Sequence, residues 1–279
     1  MKTYSNFILR RERKPKKIPV PEPIKKVVCG SNHTLALSVN GNVYGFGNNK
    51  YEQLSNDDEY KQGIIGVNKP TIFSPDKFKH MEIKDIAASG NCSFFVSFDK
   101  KNKTYYFYSA GEGLRGTLGQ NLIKHISDID LMPDISGLIN ENTMSPFEPM
   151  KLVCGNKHCL LLFRNPRILY VWGDNEYGEL GTRDRLFYES PIPMLEEYNL
   201  PFKIMNISAG NYNSDFICEK LKNEEKKKLL RLDENKHEEE MSKIKKKRKK
   251  EKKEEQKKAE EESSSSYFNK LYNSIKKYI

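Results

Sequence analysis

The sequence predicts an all-β repeat fold, a propeller or array of short antiparallel strands, followed by a charged tail of different character. Three observations carry that expectation. A glycine-rich turn pattern occurs three times, a second glycine pattern occurs four times, and alternating apolar segments run between them. Strand-rich units at a period of about 60 residues are the signature of blades that bury their faces against one another.

The turn pattern is clearest in "VWGDNEYGELG", Val171–Gly181, which holds the single tryptophan of the chain. "FGNNKYEQLS" (Phe46–Ser55) and "AGEGLRGTLG" (Ala110–Gly119) align with it without a gap. The glycines at 47, 111 and 173 are 64 and 62 residues apart. Trp172, Gly173, Asn175, Gly178, Leu180 and Gly181 form the frame of the third copy. Glycine suits such positions because the chain must turn sharply and pass close to a neighbour. The acids Asp174, Glu176 and Glu179 become Asn48, Lys50 and Gln53 in the first copy. That variation places them at the surface, with Tyr177 and Glu179 as candidate contacts for a partner.

Upstream of each turn lies "VVCGSNHTLAL" from Val27, "IAASGNCSFFV" from Ile86 and "LVCGNKHCLLL" from Leu152. A fourth copy, "ISAGNYNSDFI" from Ile207, has no turn pattern after it. Gly30, Gly90, Gly155 and Gly210 anchor the alignment; His33 and His158 follow in the first and third copies. Leu35, Leu37 and Val39 alternate with smaller or polar residues, which predicts a half-buried strand. Asn40-Gly41 then favours a tight hairpin, and Val43-Tyr44 begins the return strand. The later copies pair "FFVSF" with "TYYFY" and "CLLLF" with "ILYVW" in the same way.

These residues resemble the regulator of chromosome condensation family of β-propellers. The resemblance is carried by Cys29-Gly30 with His33, by Cys154-Gly155 with His158, and by the Trp172–Gly181 turn. It covers residues 20–218 and implies blades of four antiparallel strands around an axis. The family's complete propellers usually have seven blades, whereas three turns and four upstream units occur here. The expected fold is therefore a partial or incomplete propeller, open to self-association or to a partner that completes it. The resemblance also implies a small GTPase of the Ran type as a partner class, with nucleotide exchange and chromatin association as activities.

Composition narrows the remaining functions. The 279 residues carry a formal charge of +10, but the surplus lies in the ends, leaving residues 27–218 near −4. Nucleic acid is thus expected only at the basic tails. Five cysteines and no long apolar run point to free thiols in a nuclear or cytoplasmic setting, without a membrane-spanning helix. The basic, acid-poor N-terminus also fits a mitochondrial leader, which Glu12 and the Pro-Lys-Lys run disfavour. Gly111-x-Gly113-x-x-Gly116 matches a dinucleotide fingerprint, but no βαβ unit surrounds it and the repeat accounts for its glycines. The Cys29/His33 and Cys154/His158 pairs belong to different units, so four zinc ligands do not converge. No nucleophile–base set stands out. The expectation is a non-catalytic protein-binding module with no metal and no cofactor.

Four segments follow: a basic arm at 1–19, the repeats at 20–218, a Lys/Glu-rich stretch at 219–262, and a Ser break with a short amphipathic helix at 263–279. Residues 219–262 hold 32 charged side chains, with helix-favouring pairs such as Glu224–Lys228 and Glu239–Lys243. A charged helix or a disordered tail is expected there. Within it, Lys245, Lys246, Lys247, Arg248, Lys249 and Lys250 form a candidate nuclear import signal. A fluorescent reporter fused to residues 219–262 is expected to enter the nucleus, and neutral substitutions at 245–250 are expected to release it. Equal distribution of the two fusions would remove the import reading.

Overall fold

The computed structural model describes residues 14–54, 66–73, 78, 80–121, 126–140, 143–164, 167–194 and 202–220. The chain divides into two compact units, Met1–Glu219 and Lys220–Ile279. The import candidate, the Ser break, the C-terminal helix and nearly all of the 219–262 segment lie outside the described residues, as does most of the basic arm.

The first unit is a succession of antiparallel sheets. The first blade runs β1 (Ile24–Cys29), β2 (His33–Ser38), β3 (Val43–Asn48) and β4 (Gly66–Phe73). The second runs β5 (Met81–Ser89), β6 (Cys92–Asp99), β7 (Thr104–Glu112) and β8 (Ile126–Leu131). A two-stranded insert, β9 (Ile139–Asn140) with β10 (Ser145–Pro146), precedes the third blade. That blade contains β11 (Pro149–Cys154), β12 (His158–Phe163), β13 (Leu169–Gly173) and β14 (Tyr188–Pro193). β15 (Phe202–Ala209) and β16 (Ser214–Lys220) form a fourth, two-stranded hairpin. Within each blade the strands are ordered as in the chain. β5 lies against β1, β11 against β5 and β15 against β11, so the first strands form the inner row. This is the partial propeller of four-stranded blades expected from the repeats.

The hairpins have the predicted partners. Leu37 faces Val43 across Gly41, whose φ is +88°. Phe98 faces Tyr105 in the second blade, and Cys159 faces Trp172 in the third. The half-buried strand predicted from Leu35 and Leu37 is corrected: β2 is buried at five of its six positions, and β6 and β12 are buried almost throughout. Successive residues enter different cores, because the second and third blades are packed on both faces. Leu35 and Leu37 pack with Ile86 and Phe95 between the first two blades. Phe94 and Val96, on the opposite face of β6, join Leu161, Phe163 and Trp172 between the second and third. Leu160 and Leu162 join Ile204 and Ile207 between the third blade and the fourth hairpin. Alternation on these strands therefore separates two dry interfaces rather than core from water.

The flanks are closed by polar devices. Glu22 accepts hydrogen bonds from Tyr44 (2.7 Å), Asn42 (2.6 Å) and Asn40 (2.9 Å), which tie the incoming chain to the first blade. These bonds, that of Tyr44 first, hold the Glu22 carboxyl down to about 2. On β14, Ile192 faces Val171 and Met194 donates to Leu169, so the intervening Pro191 and Pro193 fall on the outer edge. Lacking N–H groups, they blunt that edge against pairing with another chain.

Each blade is closed by one repeated approach. Gly47, Gly111 and Gly173 have φ of +110°, +119° and +98°. The following amides, of Asn48, Glu112 and Asp174, donate to Asn32, Asn91 and Lys157 in the inner turn, at 2.7, 3.3 and 2.9 Å. A Cβ at Gly47 would stand 2.5 Å from the Asn32 carbonyl oxygen, and the other two glycines are more crowded still. Gly178 differs: its φ is +85°, but a Cβ there would meet no atom within 4 Å. Gly173→Val is expected to unfold the third blade, whereas Gly178→Ala is expected to cost about 1 kcal/mol from backbone strain alone. Thermal melts of the two variants check the ranking.

Candidate functional site

The β1–β2 and β3–β4 turns of the first blade, and their counterparts in the next two, lie at the same end of the sheets. Their residues are the ones marked by the repeats. The outer turn is held by side-chain oxygens that accept from its own amides. Asp174 accepts from Asn175 (2.9 Å) and Glu176 (3.3 Å), Asn175 from Leu180 (3.0 Å), and Glu179 from Tyr177 (2.9 Å). In the first blade Asn48 accepts from Lys50, Asn49 from Leu54 and Gln53 from Tyr51. Aspartate and asparagine, or glutamate and glutamine, are interchangeable here because the turn needs an oxygen rather than a charge.

Asp174 and Glu179 are consequently 7% and 5% exposed, which corrects their expected place at the surface. Asp174 also pairs with Arg115 of the second blade at 2.8 Å. Glu179 is committed to its own turn, while Tyr177 is 67% exposed. Asn175 is fully buried and also donates to Thr182 and Asp184. Gly181 (φ +70°) ends the turn with its amide on the Gly178 carbonyl. Trp172 is fully buried against Phe94 and donates to the Thr117 carbonyl at 3.0 Å, locking the third blade to the second. Gly111, Gly113 and Gly116 lead only into a three-residue 3-10 turn and on to an antiparallel strand.

The inner turns link neighbouring blades. His33 Nε2 lies 3.0 Å from Ser93 Oγ, and His158 Nε2 lies 3.0 Å from Ser214 Oγ. The Gly30 and Gly155 amides donate to the carbonyls of these histidines. Each imidazole covers its glycine so closely that no Cβ fits there. The strand register places Cys92 opposite Gly111, as His33 is opposite Gly47 and His158 opposite Gly173. The equivalent of His33 is therefore Cys92, and that of Gly30 is Ser89 rather than Gly90. The alignment on Gly90 is thus corrected by one residue. A small cysteine in place of histidine leaves room for a Cβ at 89. Gly90 serves another purpose: its carbonyl accepts from Ser31 in the first blade at 2.7 Å.

Among the described residues, no group of three or more His, Cys, Asp or Glu is placed to hold an ion. Burial pushes the Cys92 and Cys159 thiols up, keeping them protonated and unreactive.

An exposed apolar surface remains at the turn end. Tyr177 and Tyr212 are in ring contact at 5.2 Å, joining the third blade to the fourth hairpin, and Tyr212 is 54% exposed. Arg115 reaches Glu176, beside Tyr177, and its guanidinium lies 5.9 Å over the Phe187 ring. Leu186, Phe187 and Leu114 are also exposed. Leu186 and Phe187 border a cavity of about 430 Å³ with Tyr188 and Ile192. Of this surface, only Tyr177 stands out in the sequence. Tyr212, Arg115, Leu114, Leu186 and Phe187 lack a repeated pattern that would mark them.

The blades, their clamped turns and this apolar face define a propeller-repeat protein. The regulator of chromosome condensation repeat models match residues 24–53, 40–96 and 168–216. Residues 24–96 and 168–216 thus carry repeats of this family. It is 29% identical to the mitochondrial protein FMP25 of Saccharomyces cerevisiae, covering 57% of this chain and 26% of that protein. It is 30% identical to the RCC2 homologue of Danio rerio, covering 59% of this chain and 34% of that protein. These matches therefore span about a quarter to a third of the relatives' lengths. The fold resembles that of Prp20p from S. cerevisiae, with a TM-score of 0.56 at 21% identity, over 77% of this chain and 47% of that one. Human WBSCR16 gives a TM-score of 0.57 at 20% identity, over 71% and 45%.

The buried histidines make the inter-blade links sensitive to acid. Burial, the largest cause, lowers His33 to about 4 and lowers His158 as well. Unfolded histidine titrates near 6.5, so the unfolded chain binds protons first as pH falls. The stabilising contribution of neutral His33 is complete above about 6.5 and is lost as pH falls toward about 4. A loss of about 2 kcal/mol is expected between pH 7 and pH 5. His33→Gln should flatten that slope in thermal melts, and an unchanged slope would reject the assignment.

Proposed function

We propose that this chain is a non-catalytic interaction module that presents the turn end of its blades to a protein partner. The single observation carrying this reading is the exposed surface of Tyr177, Tyr212, Leu186 and Phe187, supported from below by buried turn residues. Aromatic side chains on a rigid base supply binding energy at low ordering cost. The basic segment at 245–250 adds a nuclear address to the proposal. Any contact with nucleic acid belongs to the tails, where the positive charge is concentrated.

A second reading is nucleotide exchange on a Ran-type small GTPase, with chromatin association. One observation favours it: Prp20p, whose fold is similar, has binding properties toward Gsp1p and histones. An exchange factor holds the nucleotide-free GTPase across a broad rigid face. The adaptor reading is preferred because it rests on an exposed surface of this chain itself.

The two readings separate in one set of measurements. Labelled-GDP release from a Ran-type GTPase is expected to be unaffected by the purified chain. Pull-downs are expected to recover a protein partner, with Tyr177→Ala weakening capture at an unchanged melting temperature. Glu179→Ala is instead expected to lower stability by about 1–3 kcal/mol, because the Tyr177 amide loses its buried acceptor. Strong acceleration of GDP release would favour exchange, and partner capture indifferent to Tyr177 would remove this surface from the proposal.

A further inference from the structure

We infer that the fourth hairpin is an end cap: its face directed away from the third blade is built for water or a polar neighbour, not for another blade. The inference comes from following equivalent positions through the array. On the second strand of each blade, the residues facing the next blade are Leu35 and Leu37, then Phe94 and Val96, then Leu160 and Leu162. Five of these six are fully buried, and Val96 is 1% exposed. In the fourth hairpin the same two positions hold Asp215, which is exposed, and Ile217, which is 63% exposed. On the inner strand, the positions of Val28, Ala87 and Val153 are followed by exposed Ser208.

The opposite face of this hairpin keeps the blade pattern. Ile204 and Ile207 are buried against the third blade, and Phe216 packs on the same core. Burial is therefore lost on one face only. Asp215 accepts from Asn213 at 3.1 Å and lies 3.5 Å from the Ser208 hydroxyl, so the outward face carries its own polar contacts. Driving another apolar blade onto it would desolvate the Asp215 carboxylate, which no cation among the described residues pairs. Repeat arrays need a polar outer face where their stacking stops, since each interior unit leaves an apolar face to be covered. Asp215 and Ser208 supply that stop.

Hydroxyl-radical footprinting of the full chain tests the cap. Ile217 is expected to be labelled about tenfold faster than Leu37 and Leu162, at every protein concentration. Protection of Ile217 equal to that of Leu37, or protection that grows with concentration, would overturn the inference. A second variant tests the cause. Asp215→Leu with Ser208→Val should convert the chain into self-associating species by sedimentation, while Asp215→Asn should leave it in its original state. If the apolar double variant sediments as the parent does, Asp215 and Ser208 are not what ends the stack.

Discussion

The approach of the outer turn to the inner turn is the contact on which each blade depends. It requires a residue at positive φ whose Cα comes so near a carbonyl that no side chain fits. Gly47, Gly111 and Gly173 meet that requirement. The amide that follows each then donates to the inner turn, so two separate hairpin turns become one rigid end. Three cores depend on this arrangement, because it fixes where the second and third strands stand relative to the first.

Above that clamp, hydrogen bonding is satisfied by oxygen atoms rather than by charge. Asp174 and Asn48, or Glu179 and Gln53, do the same work for the backbone. The same economy governs the inner turns. His33 and His158 reach a serine on the next unit and exclude a Cβ from the glycine three residues before them. Between the second and third blades, Cys92 and Cys159 take part in an apolar core with Trp172 instead. The first and third junctions thus share a histidine–serine link, while the second combines an aromatic core with the Arg115–Asp174 pair and the bond from Ser89 to the Asn156 carbonyl.

Function falls to what this framework leaves outside. The turn residues that stabilise the blades are buried, so they are not available to a partner. Tyr177, Tyr212, Leu186 and Phe187 are left on a surface whose backbone is already fixed. Under the proposed function, such a face would bind a partner by shape and apolar area. The polar outward side of the fourth hairpin works in the opposite sense, discouraging association where another blade would otherwise stack.

The sequence by itself determined the repeat, the all-β class, the hairpins and the recurring turn glycines at 47, 111 and 173. These follow from local patterns: a period of two along a strand, turn dipeptides, and glycine recurring at fixed spacing. Only the tertiary structure decided that both faces of β6 and β12 are buried, since alternation records two environments without naming them. It also decided that Asp174 and Glu179 point inward, because their acceptors are needed by amides that become buried only when the turn closes. The equivalence of Ser89 with Gly30 depended on strand register, to which glycine spacing was a poor guide once Cys92 had replaced the histidine. Arg115 lies 59 residues from Asp174 along the chain, and packing of adjacent blades alone brings the pair to 2.8 Å.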